Sequence, residues 1–440
     1  MLARFVLIFA LAVPFRADVV LANADTPLEA SLAATSDGQA RHFYQLHGGQ
    51  LAWHGSDQAR ADASTASQVL SGSAADGLDP ARYRLYPRGE DPSADDVALT
   101  DALLTYMRDL AVGRPDLETL DADVALPRPS FDPAQMLEQA LRQHRLAAML
   151  EGLAPPHAEY AALKQALAQN PAAADASAIT ANMERWRWMP RVLEPDRIMV
   201  NAADASLQLW LDGRMVLTSK VIVGRPASPT PILRAEGAGL TFNPAWTLPH
   251  SIAVKEILPK LRRNQAYLAS QDMILLNGPP GDPHGLHVNW RAIPKGTFPY
   301  EIRQMPGPRN PLGQIKLELP NRFDVYLHDT PGKTAFSRGV RALSHGCVRV
   351  EQILPLASYA LKADLSAEGL IRQAIETGGT SYVPLERKLP VYFLYWTAFP
   401  GTEGKLQFRP DIYGRDRRLI AAMHAGNLRI AGNDPSCPKG

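Results

Sequence analysis

An α+β fold, with a helical N-terminal half followed by a mainly β C-terminal half, is what the sequence predicts. In residues 25 to about 180, which are rich in Ala and Leu, apolar side chains recur at helical spacing. From about residue 185 onwards, apolar and polar side chains alternate in short runs, as is typical of half-buried strands. The length of 440 residues fits two or three domains at about 100 to 200 residues each.

The helical half shows its period most clearly between residues 102 and 111. Leu103, Met107 and Leu110 recur there at the spacing of one helical face. The histidines of this half are scattered singly and indicate no active centre. Glycines and prolines separate this stripe from further helices predicted near residues 141–150 and 160–167.

The second half follows a predicted linker at residues 170–178, which are rich in alanine. Residues 207–211 alternate, and Asp212 and Gly213 then form a hairpin signal before a strand that begins at 215–223. The remaining predicted elements are strands at 315–319, 323–327 and a closing pair at 391–396 and 405–408, with helices at 351–363 and 366–377.

The N-terminus has the order of features of a secretory signal peptide. A basic start at Arg4 precedes an uncharged apolar run over residues 5–15, and small-residue cleavage patterns follow up to Ala24. An uncleaved membrane anchor is the alternative, but the run is shorter than the ~20 residues of a spanning helix. We therefore expect an exported mature chain without a transmembrane segment. The predicted divisions are a signal peptide (1–24), a helical domain (25–182), a mainly β domain (183–420) with a candidate lid (246–300), and a C-terminal tail (421–440).

Charge and cysteine usage exclude several classes of protein. Lys and Arg number 46 against 45 Asp and Glu, so a net charge of +1 offers no general attraction for nucleic acid or an anionic membrane. The two cysteines, Cys347 and Cys437, are too few for a disulfide framework or, on their own, a structural zinc site. A bridge between them would prevent Cys347 from acting as a nucleophile, so these two interpretations compete.

The candidate reactive residues lie at the end of the strand predicted at 323–327 and in residues 344–350. On that strand Tyr326 and His328 share the polar face. If residues 344–350 are extended, three side chains share one face there, namely His345, Cys347 and Arg349. A thiol, an imidazole and a guanidinium can then converge.

Nucleophilic catalysis by cysteine needs this set of groups. Cys347 reacts as a thiolate, and His328 can accept its proton and later deliver that proton to a leaving amine. The backbone carbonyl of Asp329 is the candidate that orients the imidazole. The N–H groups around Gly346 and Cys347, together with Tyr326, are candidates for an oxyanion hole.

Substrate-binding candidates surround the thiol. Arg349 can bind a substrate carboxylate or stabilise the thiolate, and the sequence leaves both roles open. Ser344, His345, Arg341 and Trp290 are further candidates. The alternative for Cys347 itself is a buried, structural thiol that behaves as a small hydrophobe.

A possible metal pair, His284 and His287, lies in a loop rich in proline and glycine. No third ligand is evident near it, whereas a zinc site takes three or four protein ligands. The sequence therefore predicts no metal site.

The strings at residues 328–331 (HDTP) and 344–350 (SHGCVRV) resemble the catalytic motif of the YkuD-type L,D-transpeptidases. The resemblance is to the large, periplasmic, multidomain group and covers most of the mature chain. Further stretches that carry it lie at residues 76–80 (DGLDP), 184–190 (ERWRWMP), 200–202, 221–226, 243–252, 392–396 and 411–414.

That resemblance implies a two-step acyl transfer between peptidoglycan stem peptides, in the periplasm and without a metal or organic cofactor. Cys347 would attack a peptide carbonyl to give a thioester, and a diaminopimelate amine of a second stem would then accept the acyl group. His328 would carry the proton in both steps. Carbapenems typically acylate the cysteine of such enzymes.

One departure bears on the product. The peptidoglycan-binding module that large members often carry is missing between the helices and the ERWRWMP string, so both a 3-3 link and a 1-3 link from L-Ala stay open. A cysteine peptidase or amidase that trims stem peptides is the rival enzyme, and a wall-binding scaffold is the rival without catalysis. A papain-like fold places cysteine before histidine, which is the reverse of the order here.

Overall fold

The computed structural model describes residues 27–33, 38–85, 91–114, 120–361, 365–401 and 404–431. The predicted signal peptide at 1–24 and Cys437 lie outside these residues. Within them, no helix combines the length and apolar character needed to cross a bilayer. The predicted order of a helical half and a β-rich half is confirmed.

The first six helices of the helical half pack around one apolar core, whereas the last two contribute to a second core that they share with strands of the β half. Asp91 caps the longest of them by accepting a hydrogen bond from the Ser93 N–H at 2.9 Å. Leu103 and Met107, from the predicted stripe, are fully buried in the first core with Phe43. The helices are α1 (Pro27–Ala33), α2 (Gly38–Leu46), α3 (Asp57–Ser71), α4 (Pro92–Val112), α5 (Pro133–Arg142), α6 (Leu146–Glu151), α7 (Ala158–Leu167) and α8 (Ala173–Arg187).

The linker prediction at residues 170–178 is wrong, because α8 begins at Ala173. Alanine has the highest helix propensity, and the segment contains no glycine or proline after Pro171. The domain boundary predicted between residues 182 and 183 lies inside this helix. Its last turn carries the buried ion pair of Glu184 and Arg187, 2.7 Å apart.

The β half is built on a sheet that closes on itself. Its strands follow the order β5, β13, β2, β3, β4, β12, β10 and β9, and β9 pairs again with β5. The inner face holds the largest apolar core of the described residues. The strands of this half are β1 (Val124–Ala125), β2 (Arg197–Asn201), β3 (Ser206–Leu211), β4 (Arg214–Gly224), β5 (Ile232–Phe242), β9 (Ile315–Glu318), β10 (Leu327–His328), β11 (Ala342–Ser344), β12 (Val348–Val350) and β13 (Ser381–Leu394).

The predicted hairpin at Asp212 and Gly213 is confirmed. Strands β3 and β4 are antiparallel, with Leu211 opposite Arg214. Both turn residues have positive φ, at 50° and 74°, which is the backbone of a type I′ turn.

The closing strand pair is placed differently from the prediction. Strand β15 (Leu406–Phe408) pairs with β14 (Ala398–Pro400) rather than with residues 391–396, of which 391–394 end β13. The chain turns between β13 and β14 because Asn201 and Asn182 accept the N–H groups of Trp396 and Thr397, at 2.9 and 3.0 Å.

Three helices complete the β half, and the last contradicts part of the predicted tail. They are α12 (Ile353–Ala360), α13 (Leu365–Glu376) and α14 (Arg415–Ala431). Residues 421–431 are therefore helical, and Leu419 and Met423 of this helix are buried in the core of the β half.

Residues 246–304, which we call the insert, contain the whole candidate lid and have a small core of their own around Trp290 and Leu261. The strands β6 (Trp246–Thr247), β7 (Met273–Leu275) and β8 (Ile302–Gln304) form a separate sheet. Its helices are α9 (His250–Ile252), a π turn (Ala253–Ile257), α10 (Leu258–Leu261) and α11 (Tyr267–Ser270).

Candidate active site

Cys347 lies in a turn that joins β11 to β12, and both strands pair with β4. The predicted continuous strand over residues 344–350 is therefore wrong. Gly346 causes the interruption, since its φ of 121° lies in a region that side chains disfavour. A Cβ there would meet no atom closer than 3.8 Å, so the backbone conformation rather than crowding requires glycine. The turn leaves the Cys347 side chain partly exposed.

Two hydroxyl groups hold this turn. Ser344 Oγ accepts the Gly346 N–H at 3.1 Å and donates to the Cys347 carbonyl at 2.5 Å. Thr230 Oγ1 donates to the Gly346 carbonyl at 2.7 Å and accepts the Gly224 N–H at 2.9 Å. Ser344 is thus a buried support of the turn, and the Gly346 N–H, an oxyanion-hole candidate, is already engaged.

His328 lies on the neighbouring strand. In the parallel pairing of β10 with β12, His328 is opposite Arg349 and Leu327 is opposite Val348. Strand β10 contains only residues 327 and 328, because Asp324 has a φ of 52° and breaks the predicted alternation. The register nevertheless places His328 beside the catalytic turn.

The His328 imidazole is 4% exposed, and its Nδ1 has no hydrogen-bond partner among the described residues. Burial, followed by the positive charge of Arg349, lowers the pKa of His328 to about 3. The backbone of Asp329, followed by its charge, opposes this shift. His328 is therefore uncharged at neutral pH and able to accept a proton.

The Cys347 thiol donates to the Asp324 carbonyl, with Sγ 3.5 Å from that oxygen. Burial raises the pKa of the thiol, whereas hydrogen bonds with the backbone and side chain of Tyr326, and the charge of Lys316, lower it. At rest the site thus contains a thiol and a neutral imidazole rather than a thiolate and an imidazolium.

Tyr326 connects these groups. Its ring lies edge-on to the His328 ring, with centroids 5.6 Å apart. Burial and then the neighbouring Cys347 raise the pKa of its hydroxyl, while a hydrogen bond with the Trp246 side chain lowers it. The insert therefore contacts the site through β6.

A second contact with the insert involves His345. This exposed residue of the catalytic turn lies with Nε2 2.5 Å from Glu256 Oε1, and Arg225 reaches the same oxygen at 3.5 Å. Burial tends to raise the pKa of Glu256, but the hydrogen bond and charge of His345 and the charge of Arg225 outweigh it, so the pKa is lowered. His345 thus binds the insert in this structure.

Two substrate-binding candidates have structural surroundings instead. Arg341 donates through Nε, Nη1 and Nη2 to the carbonyls of Val221, Arg338, Asp204 and Ala205. Trp290 is 1% exposed in the core of the insert and donates to the Gly285 carbonyl at 2.9 Å. The prediction for Trp290 is corrected, since its side chain is inaccessible to a ligand. Arg341 is partly exposed, so its role in substrate binding stays a prediction.

The Asp329 carboxylate is turned away from the imidazole. It accepts the Gln314 N–H at 2.9 Å and pairs with Lys333 at 2.5 Å, and so it holds the loops on either side. Only the backbone of Asp329 reaches His328.

The two loop histidines, His284 and His287, have separate partners. His284 Nδ1 donates to the Met273 carbonyl at 2.9 Å, and His287 lies 3.5 Å from Asp282. Across the described ranges, no group of three or more potential metal ligands comes together.

Sequence reasoning missed three residues of this region: Lys316, Thr230 and Glu256. Lys316 had a usable signal, because it lies on the polar face of the predicted strand 315–319, which pairs with the strand of His328. Thr230 and Glu256 are 116 and 89 residues from their partners in the turn, and no local pattern marks them.

Two family models match the chain. One, described as a scaffold domain, matches residues 38–167. The other, YkuD, described as an L,D-transpeptidase catalytic domain, matches residues 195–374. A Haemophilus influenzae protein named "Putative L,D-transpeptidase" is 30% identical over 334 residues, which cover 74% of this chain and 67% of that protein.

Two solved structures show a remote likeness. The avibactam carbamoyl enzyme of Ldtfm is 13% identical with a TM-score of 0.23, covering 47% of this chain and 51% of that one. A cysteine-to-serine mutant of an Enterococcus faecium L,D-transpeptidase is 14% identical with a TM-score of 0.19, covering 47% and 52%. Each match spans about half of the solved chain.

Proposed function

Because the chain belongs to the YkuD family of L,D-transpeptidases, we propose that it is a cysteine acyltransferase that cross-links peptidoglycan stem peptides through Cys347. The observation that carries this proposal is the buried His328, whose Nδ1 is without a partner in the described structure and which lies beside the turn of the only described cysteine. A buried ring nitrogen that stays unbonded costs free energy, which suits a group that exchanges a proton with a reacting partner.

The first step is acylation of the thiol. Cys347 leaves the Asp324 carbonyl and gives its proton to His328, while the sulfur attacks a peptide carbonyl of the donor stem. The tetrahedral intermediate then collapses as the peptide C–N bond breaks. His328 returns the proton to the leaving amine, and the donor stem stays on Cys347 as a thioester.

The second step transfers the acyl group. A diaminopimelate amine of another stem attacks the thioester carbonyl, and His328 takes a proton from this amine. The C–S bond breaks, the sulfur recovers the proton from His328, and a new amide joins the two stems. No oxidant, reductant or metal enters either step.

The resting protonation state fits this proton relay. An imidazole whose pKa is about 3 is an available base at neutral pH, and its low proton affinity makes the return of the proton to the leaving amine favourable. The thiol is activated as the substrate arrives rather than held as a standing thiolate.

Oxyanion stabilisation needs donors close to the reacting sulfur. Since the Gly346 N–H is bound by Ser344, we assign this role to the Cys347 N–H together with the Tyr326 hydroxyl, which already interacts with the thiol. Arg349 is half-buried, with an Nε that has no partner among the described residues, and is proposed to bind a stem-peptide carboxylate.

The proposed function also has consequences for inhibition, for the location of the protein and for its product. A carbapenem that acylates Cys347 would inhibit the protein irreversibly or slowly reversibly. We also propose an exported, periplasmic location, which the apolar N-terminus and the proposed substrate support. The bond that is formed, 3-3 between diaminopimelates or 1-3 from L-Ala, is left to product analysis.

The test incubates the mature protein with defined muropeptides and identifies the products by tandem mass spectrometry. Cross-linked dimers that form with the parent and with Cys437→Ser, but not with Cys347→Ala, would support the proposal, and their fragmentation distinguishes 3-3 from 1-3 links. Trimmed monomers alone would indicate a peptidase. Unchanged muropeptides, or equal products from Cys347→Ala, would leave a wall-binding scaffold as the better description.

A further inference from the structure

Lys316 lies beside the reacting groups, although no sequence pattern assigned it a role. It stands on β9, directly opposite His328 in the antiparallel pairing with β10. Its Nζ is 4.2 Å from the centre of the Tyr326 ring, and its side chain is 21% exposed. A cation is therefore fixed over the aromatic face of the tyrosine that contacts both His328 and Cys347.

A short chain of contacts holds this ammonium in place. Glu318, two residues along β9, accepts from Lys316 Nζ at 2.8 Å through Oε2. The other carboxylate oxygen of Glu318 accepts from Thr241 Oγ1 at 2.6 Å, on β5. Because β9 pairs with both β10 and β5, the closure of the sheet itself positions the lysine.

The position of Lys316 matters because of what its charge does there. A fixed cation stabilises a developing thiolate and disfavours protonation of a nearby imidazole. The positive charge of Lys316 acts in this direction on both Cys347 and His328. Lys316 thus lowers the pKa of the Cys347 thiol and that of the His328 imidazole together. The pH range of the reaction shifts, while the relative order of these two pKa values stays the same.

We propose that Lys316 is a positioning residue for the Cys347 reaction: held by Glu318, it fixes the Tyr326 ring against His328 and Cys347 and supplies the positive charge that favours the thiolate. The inference deepens the proposed function and rests on it for the identity of the substrate. Lys316 itself touches neither the sulfur nor the imidazole in a hydrogen bond of the described structure, so its action is through Tyr326 and through its charge.

The experiment measures the rate at which iodoacetamide alkylates Cys347 as a function of pH, in a Cys437→Ser background that leaves one thiol. Lys316→Met and Lys316→Gln are expected to raise the apparent thiol pKa and to slow alkylation at pH 7 by about three- to ten-fold. Lys316→Arg keeps the charge and is expected to restore the parent profile to within about two-fold.

Lys260→Met is the matched control, because Lys260 also lies over a tyrosine ring, 5.0 Å from the centre of Tyr267, in the insert. Its alkylation profile should equal that of the parent. Circular dichroism identifies any variant that does not fold, and the neutral glutamine variant then decides in place of methionine. A folded neutral variant with the parent profile, or a slowing that arginine does not restore, would overturn the proposal.

This readout is independent of transpeptidation. If the parent forms no cross-links while the lysine variants shift the thiol profile, the positioning role stands and the proposed function fails. If cross-links form and the alkylation profile does not shift, the proposed function stands and the positioning role of Lys316 fails.

Discussion

Two buried polar side chains, Asp96 of the helical domain and His328 of the β half, differ in how fully their hydrogen bonds are satisfied. Both are almost inaccessible, at 0% and 4% exposure. Both carboxylate oxygens of Asp96 accept hydrogen bonds, whereas His328 Nδ1 has no hydrogen-bond partner among the described residues. The Asp96 oxygens accept from the Tyr44 hydroxyl at 2.5 Å, the N–H groups of Ala52 and Trp53 at 2.9 Å each, and His54 Nδ1 at 2.8 Å.

The difference separates stability from reactivity. A buried carboxylate with four donors joins the end of α2, the following turn and α4, so its removal would strand several N–H and O–H groups. A buried imidazole without a partner costs about 1 to 3 kcal/mol. Such a group is retained where a substrate or a nucleophile completes its hydrogen bonds during the reaction.

The largest expected effect comes from replacing the unsatisfied group. His328→Gln should lower the rate of Cys347 acylation by about a thousand-fold, because the described residues place no other imidazole or amine within hydrogen-bonding distance of the thiol. The free energy of unfolding should change by less than about 1 kcal/mol, since few interactions are lost. Single-turnover acylation and urea unfolding measure the two quantities, and retention of most of the acylation rate would contradict the assigned role.

The satisfied group gives the opposite pair of outcomes. Asp96→Ala should destabilise the protein by about 3 kcal/mol through stranded donors, while the activity of each folded molecule stays unchanged. Urea unfolding followed by fluorescence measures the loss.

Asp57→Ala is the control for this change, because Asp57 is fully exposed in its pair with Arg60 and should cost less than about 1 kcal/mol. Equal free energies of unfolding for Asp96→Ala and Asp57→Ala would contradict the contrast drawn between Asp96 and His328.

The pH dependence of acylation sharpens the comparison further. The neutral imidazole is the base, so acylation falls as pH drops through the pKa of His328, which burial and Arg349 hold at about 3. Arg349→Met removes a positive charge that disfavours imidazolium, so this pKa rises and the acidic limb of the profile moves to higher pH, by ~0.5 to 1 unit. A stopped-flow profile of carbapenem acylation between pH 3 and 8 is the measurement, and a limb that stays in place or moves down would contradict the electrostatic account.

The smallest expected effect concerns the contact between the insert and the catalytic turn. Glu256→Gln removes the charge that pairs with His345 and Arg225 at a partly exposed site, where such pairs contribute about 1 kcal/mol or less. Amide hydrogen exchange should rise around the π turn and the catalytic turn. The KM should change by about two- to three-fold, as expected for an interaction energy below about 1 kcal/mol.

Asp272→Asn serves as the control for this insert variant, since Asp272 pairs with Arg309 away from the catalytic turn at 2.7 Å. Equal exchange in both variants would show that the Glu256 contact has no special role.

Much of the chemistry could be predicted from sequence because it is local. Cys347, Gly346 and Arg349 lie within a few residues, and His328 ends a short alternating run, so their common location follows from strand pairing. The candidate lid also coincides largely with a unit that has its own core. The expectation of regular, continuous strands was wrong, because Asp324 and Gly346 adopt positive φ and interrupt them.

The rest depended on contacts that are distant in sequence. Trp290 has a residue type common in binding sites, and only its apolar packing shows that it is structural. The carbonyls around Arg341 likewise lie on segments distant in sequence. Thr230 and Glu256 reach the turn from other elements of the β half. Lys316 could have been found by asking which polar side chains flank His328 across the sheet.

The most direct test of the account is the intact mass of the protein after brief incubation with a donor stem tetrapeptide in the absence of an acceptor amine. We expect a covalent adduct of the donor minus its leaving residue, located at Cys347 by peptide mapping and formed far more slowly by His328→Gln. An adduct elsewhere, no adduct in the parent, or equal rates in parent and His328→Gln would contradict it.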